Sequence, residues 1–294
     1  MNKYRYAIGY IFCVALVSVI RAKLLLELSP IIVLLISSVL GCGYFHLIDY
    51  KESLNIYKKF FDKKILFLNL NLIVALMWFA TYYSIYFSSA AIFVFEFFMV
   101  GGCLSILCRN NTLPLSNKSL SLPMIILILM PLFIYKEQCI GILLGILAGV
   151  LGFTYNMLSN KAALLLDLSA SQILASRFWL LIAFSTVLVP MDFLTQITLR
   201  AFIITLFITV LSFVLQVWLN QKSVITIGGM ESSYISSYAP ALTFVIQGVL
   251  LGNWVFPILI LSVLGTMCIL CDSWIRENNN EKIFGLSRLT LIRK

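Results

Sequence analysis

The chain has 294 residues, 61% of them hydrophobic and 11% charged, with a formal net charge of +9. Soluble domains carry roughly 25% charged residues, so this composition excludes an ordinary globular protein. The basic residues are dispersed among short polar gaps that flank apolar runs, which is a membrane-orientation pattern and argues against nucleic-acid binding.

A helix that crosses a bilayer needs about 20 mostly apolar residues. Ten stretches meet that need in chain order: 4–20, 29–48, 66–87, 90–107, 120–135, 139–159, 169–189, 201–219, 230–251 and 254–273. Each is continuously apolar rather than alternating, which predicts helices and not barrel strands. The first run is followed by Arg21 and Lys23 with no small-residue cleavage site, so it reads as a retained span. The fifth run is the shortest and holds Pro123 and Pro131. The connector 49–65 carries charges of both signs, and the polar tail 275–294 is expected to lie disordered along anionic lipid.

Cytoplasmic loops carry the excess of Lys and Arg. With the amino terminus inside, the outer loops hold Arg21, Lys23, Lys136 and Arg200, Arg177 lies within a span, and all other basic residues fall inside. Both termini are therefore expected in the cytoplasm, in a multi-pass protein of the cell's inner membrane. Seven cysteines include a C-x-x-C pair, Cys268 and Cys271, without the further ligands that a metal site requires. No metal or cofactor is expected.

Sliding the sequence by about 138 residues sets Trp78 opposite Gln216, Tyr82 opposite Asn220 and Gly102 opposite Pro240. Five spans per half reverse the second half relative to the first. The expected fold is all-α and polytopic: two inverted five-helix repeats, 1–137 and 138–274, followed by the tail.

Three segments carry a family resemblance: GILLGILAGVLGFTYNMLSNK at 141–161, SASQILASRFW at 169–179, and GMESSYISSYAPALTFVIQGVLLG at 229–252. They resemble the sixth, seventh and ninth helices of EamA-like proteins in the drug/metabolite transporter superfamily. The chain departs from the family pattern at Gly102, Asn253 and Ser37. The resemblance implies a ten-helix carrier of a small metabolite, commonly an exporter, with a cavity lined by spans three, four, eight and nine. No P-loop and no catalytic constellation stands out, so an enzyme is not expected.

Ionisable residues within spans cost about 2.5–3.5 kcal/mol on insertion scales and need a reason. Glu96 reads as a cavity-facing carboxylate for an amine or a proton, or as the partner of Arg177. Arg177 reads as a structural cation or a contact for an anionic group, and Glu231 as a gate or an interfacial acid. In span nine, Ser233, Ser236, Ser237 and Pro240 share one helical face, with Tyr238 beside it. That face lines a cavity or packs against a neighbour. Trp78, Tyr82, Asn156, Gln216 and Asn220 complete a mixed aromatic and amide set suited to an amino-acid-like or heteroaromatic solute. Gly141, Gly145, Gly149 and Gly152 form a ridge for close helix approach. The partners implied are a small solute and the lipid bilayer, with a homodimer allowed. The alternatives are an uptake carrier of the same fold, a membrane-embedded enzyme and a non-transporting scaffold.

Overall fold

The computed structural model describes residues 2–108, 120–193 and 197–291, and among these it is helical with no strand. Arg109, Lys118, Arg293 and Lys294, counted above to the inner side, lie outside the described residues. The helices are α1 (Arg5–Leu24), α2 (Pro30–Ile48), α3 (Ser53–Phe61), α4 (Lys64–Phe87), α5 (Ala90–Cys108), α6 (Ser121–Ile134) and α7 (Cys139–Leu166). The second half holds α8 (Ala170–Ser176), α9 (Trp179–Leu188), α10 (Leu199–Thr209), α11 (Val217–Ile227), α12 (Gly229–Ser236), α13 (Ala239–Leu251) and α14 (Phe256–Leu291).

Eight of the described helices or helical runs are long and apolar enough to cross a membrane. The pair α12 and α13, bent by 41°, makes a ninth if counted as one span. The remaining segment of the expected ten, α6, has 14 residues, about 21 Å of helix, and falls short of the roughly 30 Å hydrocarbon layer. Large apolar side chains such as Leu164, Val187 and Phe133 stand fully outward, as expected of a surface that meets lipid.

Two boundaries differ from the sequence expectation. Helix α1 runs four residues past Ile20, so Arg21 is an interior residue and not part of an outer loop; it is 1% exposed. At the other end, α14 continues as helical backbone through Leu291, where disorder is expected from the sequence.

The connector between α2 and α4 is also ordered. Its helix α3 is amphipathic: Ile56 and Phe60 are buried while Lys58 and Lys59 face out. The Lys59 ammonium donates to the Asp167 carbonyl at 2.9 Å, and Asp167 closes α7 in the left-handed conformation at φ 46°. Tyr57 accepts a hydrogen bond from Trp179 Nε1 at 2.8 Å and lies 2.6 Å from His46 Nε2. His46 Nδ1 lies 2.8 Å from the Cys42 carbonyl, which makes Nδ1 a donor and leaves Nε2 to accept from Tyr57 in the neutral ring.

The glycine ridge of α7 seats α5 and the end of α4. A Cβ at Gly149 would stand 2.8 Å from the Phe97 carbonyl oxygen, and one at Gly145 would stand 3.0 Å from the Glu96 Cβ. At Gly141 it would meet the Phe87–Ser88 backbone. Ser84 Oγ closes that corner by donating to the Gly141 carbonyl at 2.6 Å.

Candidate functional site

Three apolar runs lose α-helical regularity; two of the breaks place Arg177 and Gln216 on one cavity, and the third follows Ser236, the last residue of α12, which lines it too. The first lies between α8 and α9, where Arg177 and Phe178 leave the helix. Asn71 on α4 repairs it: its Nδ2 donates to the Ser176 carbonyl at 2.9 Å and its Oδ1 accepts from the Trp179 amide at 3.0 Å. Backbone groups freed inside a bilayer need such partners. The second is a π-helical stretch, Val210–Gln216, that joins α10 to α11 and rotates Gln216 inward. The third lies between α12 and α13, where Pro240 restarts the helix as one of its first two residues.

Beside the Arg177 break, the π-helical stretch and the end of α12 lies a cavity of about 60 Å³. It is lined by α1, α4, α5, α7, the Arg177 break, the π-helical stretch, α11 and α12. That volume admits a few water molecules and is well below the roughly 300–1,000 Å³ of ordinary small-molecule pockets.

One wall is an amide relay. Asn220 Nδ2 donates to Asn156 Oδ1 at 3.0 Å, Asn156 Nδ2 donates to Ser233 Oγ at 2.9 Å, and Ser233 Oγ donates to the Gly229 carbonyl at 3.0 Å. The close approach of Gly229 to the Asn156 backbone permits this relay, since a Cβ there would overlap the Asn156 carbonyl.

The other walls hold two buried arginines. The Arg177 guanidinium carbon lies 4.7 Å from the Tyr155 ring centre and 4.8 Å from that of Phe178. The Arg21 carbon lies 4.7 Å from Tyr82 and 5.4 Å from Trp78. Tyr155 in turn donates its hydroxyl to Gln221 Oε1 at 2.5 Å. Behind the Arg21 site, Trp78 stacks on Phe213 of the π-helical stretch at 4.3 Å. Cation–π contacts are worth about 0.5–2 kcal/mol each, which offsets part of the several kcal/mol it takes to bury an ion.

The chain matches no family model and no curated protein. The EamA-like resemblance therefore stands on the residues quoted above.

Of the candidates named from the sequence, Trp78, Asn156, Arg177, Gln216, Asn220 and Ser233 line the cavity, and Ser236 with them. Tyr82 lies behind the wall, against Arg21. Ser237 lies outside the lining: its hydroxyl is 2.9 Å from the Phe98 carbonyl and 3.1 Å from that of Ser233, and it presses on Gly102 of α5. Tyr238 and Pro240 are likewise outside it, Tyr238 packing on the cluster that α5, α6, α12 and α14 share. Glu231 stands in the first turn of α12, where the helix dipole favours an acid.

Glu96 differs most from expectation. It is fully buried, yet it faces Gly145 of α7 and Ser84 of α4 rather than the cavity. Both carboxylate oxygens lack a hydrogen-bond partner, and among the described residues it forms no ion pair with Arg177.

Tyr10 and Arg21 are cavity residues that sequence reasoning missed. A signal existed: Tyr10, Val14 and Arg21 fall four and eleven residues apart, one face of a helix that continues past Ile20. Asn71 had no such signal, because its role depends on a break in another helix.

Proposed function

We propose that this chain is a secondary carrier that moves a small polar metabolite across the cytoplasmic membrane through the central cavity. One observation carries the reading: two apolar runs break, at Arg177 and over Val210–Gln216, beside one buried cavity lined by two arginines and a chain of amides. Irregular backbone at membrane depth is tolerated where it is buried in protein or lines a cavity, and carriers place substrate there.

The ten-span, inverted-repeat architecture belongs to the same proposal, with α6 as the fifth span. Its support is a recurrence of neighbours. Helix α4 packs on α7 as the α10–α11 run packs on α1, and α5 packs on α7 as α12 and α13 pack on α1. The pairs α2 with α8–α9, and α5 with α12–α13, are their own counterparts. Those are the contacts a two-fold axis in the membrane plane would relate. The EamA-like segments support the same arrangement, with export as the family's common direction and both termini cytoplasmic. Transport runs by proton coupling or exchange, and the direction in a given cell follows the gradients.

The test is solute exchange in proteoliposomes joined to labelling by a hydrophilic thiol reagent in a background free of native cysteines. Ser233→Cys should react, and added substrate should slow it. Ser237→Cys, held against α5, should stay protected. Uniform protection of Ser233→Cys in every condition, with no exchange of any solute, would refute the carrier reading.

A further inference from the structure

We propose that the solute is a small organic anion, whose carboxylate or phosphate oxygens bind the guanidinium groups of Arg21 and Arg177, in turn or, for a longer dianion, together. This deepens the carrier reading and rests on it for the word solute; the anion site itself rests on the following geometry.

The cavity wall contains two guanidiniums and no carboxylate. Arg21 is 1% and Arg177 2% exposed, and among the described residues neither makes an ion pair. Each leaves Nε and one terminal nitrogen without a hydrogen-bond partner, and Trp78 Nε1 is unpartnered beside them. Guanidinium and indole nitrogens only donate. The unpartnered acceptors on the wall are two, Gln216 Oε1 and Asn220 Oδ1, against five unpartnered donor nitrogens on Arg21, Arg177 and Trp78. The larger hydrogen-bonding demand of the wall is thus for acceptors, and its charge demand is for an anion.

The same geometry disfavours a cationic solute. Two guanidiniums repel a cation from the cavity, and three of its neighbouring rings, Trp78, Tyr82 and Tyr155, already lie under them. Glu96, the carboxylate expected to bind an amine, faces α7 instead. An amino-acid-like zwitterion would find charged partners for its carboxylate and only neutral amide oxygens for its ammonium.

The arginines stand at different depths. From the end of the bundle where α4 stops and α7 starts, Tyr82 and Trp78 lie five and nine residues along α4, and Tyr155 sixteen along α7. At about 1.5 Å per residue, this sets the guanidiniums roughly 10–15 Å apart along the axis. In the proposed orientation Arg21 is on the outer side and Arg177 on the inner side. An anion released by one passes to the other, and a longer dianion spans both.

The decisive measurement is thermal unfolding of the purified full-length protein in detergent at constant ionic strength. The probes are small mono- and dicarboxylates, inorganic phosphate and phosphomonoesters, set against primary amines, zwitterionic amino acids and neutral heteroaromatics. Anions should raise Tm in a saturable way, and the carboxylate and phosphate arms show which oxyanion is preferred. Arg21→Gln and Arg177→Gln should each weaken that binding about ten- to a hundredfold. They should not lower the ligand-free Tm, because removing an unpaired buried charge relieves a desolvation cost. Arg177→Lys, which keeps the charge and loses the planar fork, should fall between.

Stabilisation only by amines or neutral compounds, anion binding unchanged in the double Gln variant, or no stabilisation by any anion would each overturn the proposal. If a Gln variant does not fold, the wild-type panel and Arg177→Lys still decide. Flux assays separate the two readings: anion binding without flux would keep the site and remove the carrier. Flux of cations or neutral solutes that survives Arg177→Gln would keep the carrier and remove the anion site.

Discussion

The side-chain amide of Asn71 holds the backbone on both sides of Arg177, donating to Ser176 and accepting from Trp179. An α4 residue therefore fixes where a guanidinium from another helix points. Asn71→Leu leaves a buried carbonyl and a buried amide without these partners, at about 1–3 kcal/mol each. It should lower Tm in detergent and weaken the anion response together, whereas Arg177→Gln should affect only the response. A variant with unchanged Tm would show that the break is held by other means.

The α7 ridge gives a paired test of close packing. Gly149→Ala places a Cβ 2.8 Å from both the Phe97 carbonyl oxygen and Val100 Cβ. Overpacking of this kind costs typically about 1–3 kcal/mol. Gly43→Ala on α2 meets nothing within 4 Å and should be neutral, or stabilise by up to about 1 kcal/mol. Equal Tm for both variants would remove the ridge as a packing element.

Burial pushes the Tyr57 phenol above its ordinary value of 10.0, with the Trp179 hydrogen bond acting in the opposite sense. Tyr57 lies outside the spans, on α3. Its native proton is held more tightly than in the unfolded chain, so the stability this adds is fully present below pH 10 and lost as pH rises through the raised native value. Docking of α3 should loosen in that alkaline window, read by Trp179 fluorescence with the other tryptophans replaced. Tyr57→Phe should abolish the alkaline transition. A transition that persists in Tyr57→Phe would assign it elsewhere.

On the carrier reading, Glu96, a buried carboxyl on α5 packed against Gly145 of α7, is the group we propose for proton coupling. Glu96→Gln removes the charge and retains the shape. It should leave solute exchange intact and abolish uphill accumulation driven by a pH gradient in proteoliposomes. Because Glu96 has no ion pair with Arg177, the substitution should not lower Tm. Unchanged pH-driven accumulation would leave Glu96 a packing residue.

The apolar runs were legible because a bilayer demands continuous hydrophobicity, and the polar face of span nine was legible from the spacing of its serines and Pro240. The ridge at Gly141, Gly145, Gly149 and Gly152 was legible from its spacing alone. The direction of Glu96 was not. Helix α5 is buried on nearly every side, so its apolar residues show no preferred face and periodicity cannot aim any one of them. Arg21 was misread for a different reason. A charge at the end of an apolar run looks like a loop residue until the aromatic rings of α4 are known to cover it. Ser237 and Ser233 share a helical face, and only the neighbouring α5 and α7 separate a packing hydroxyl from a cavity hydroxyl.

The small volume of the cavity also governs how fast anything can bind. With about 60 Å³ available, a metabolite cannot enter this conformer by diffusion alone. On the carrier reading, association waits for a helix movement of the kind that takes microseconds to milliseconds. At rising solute concentration the observed binding rate should therefore level off at the rate of that opening rather than climb linearly. The measured affinity then carries the energy of opening as well as that of contact, so substitutions far from any bound oxygen can shift it by changing how often the bundle parts.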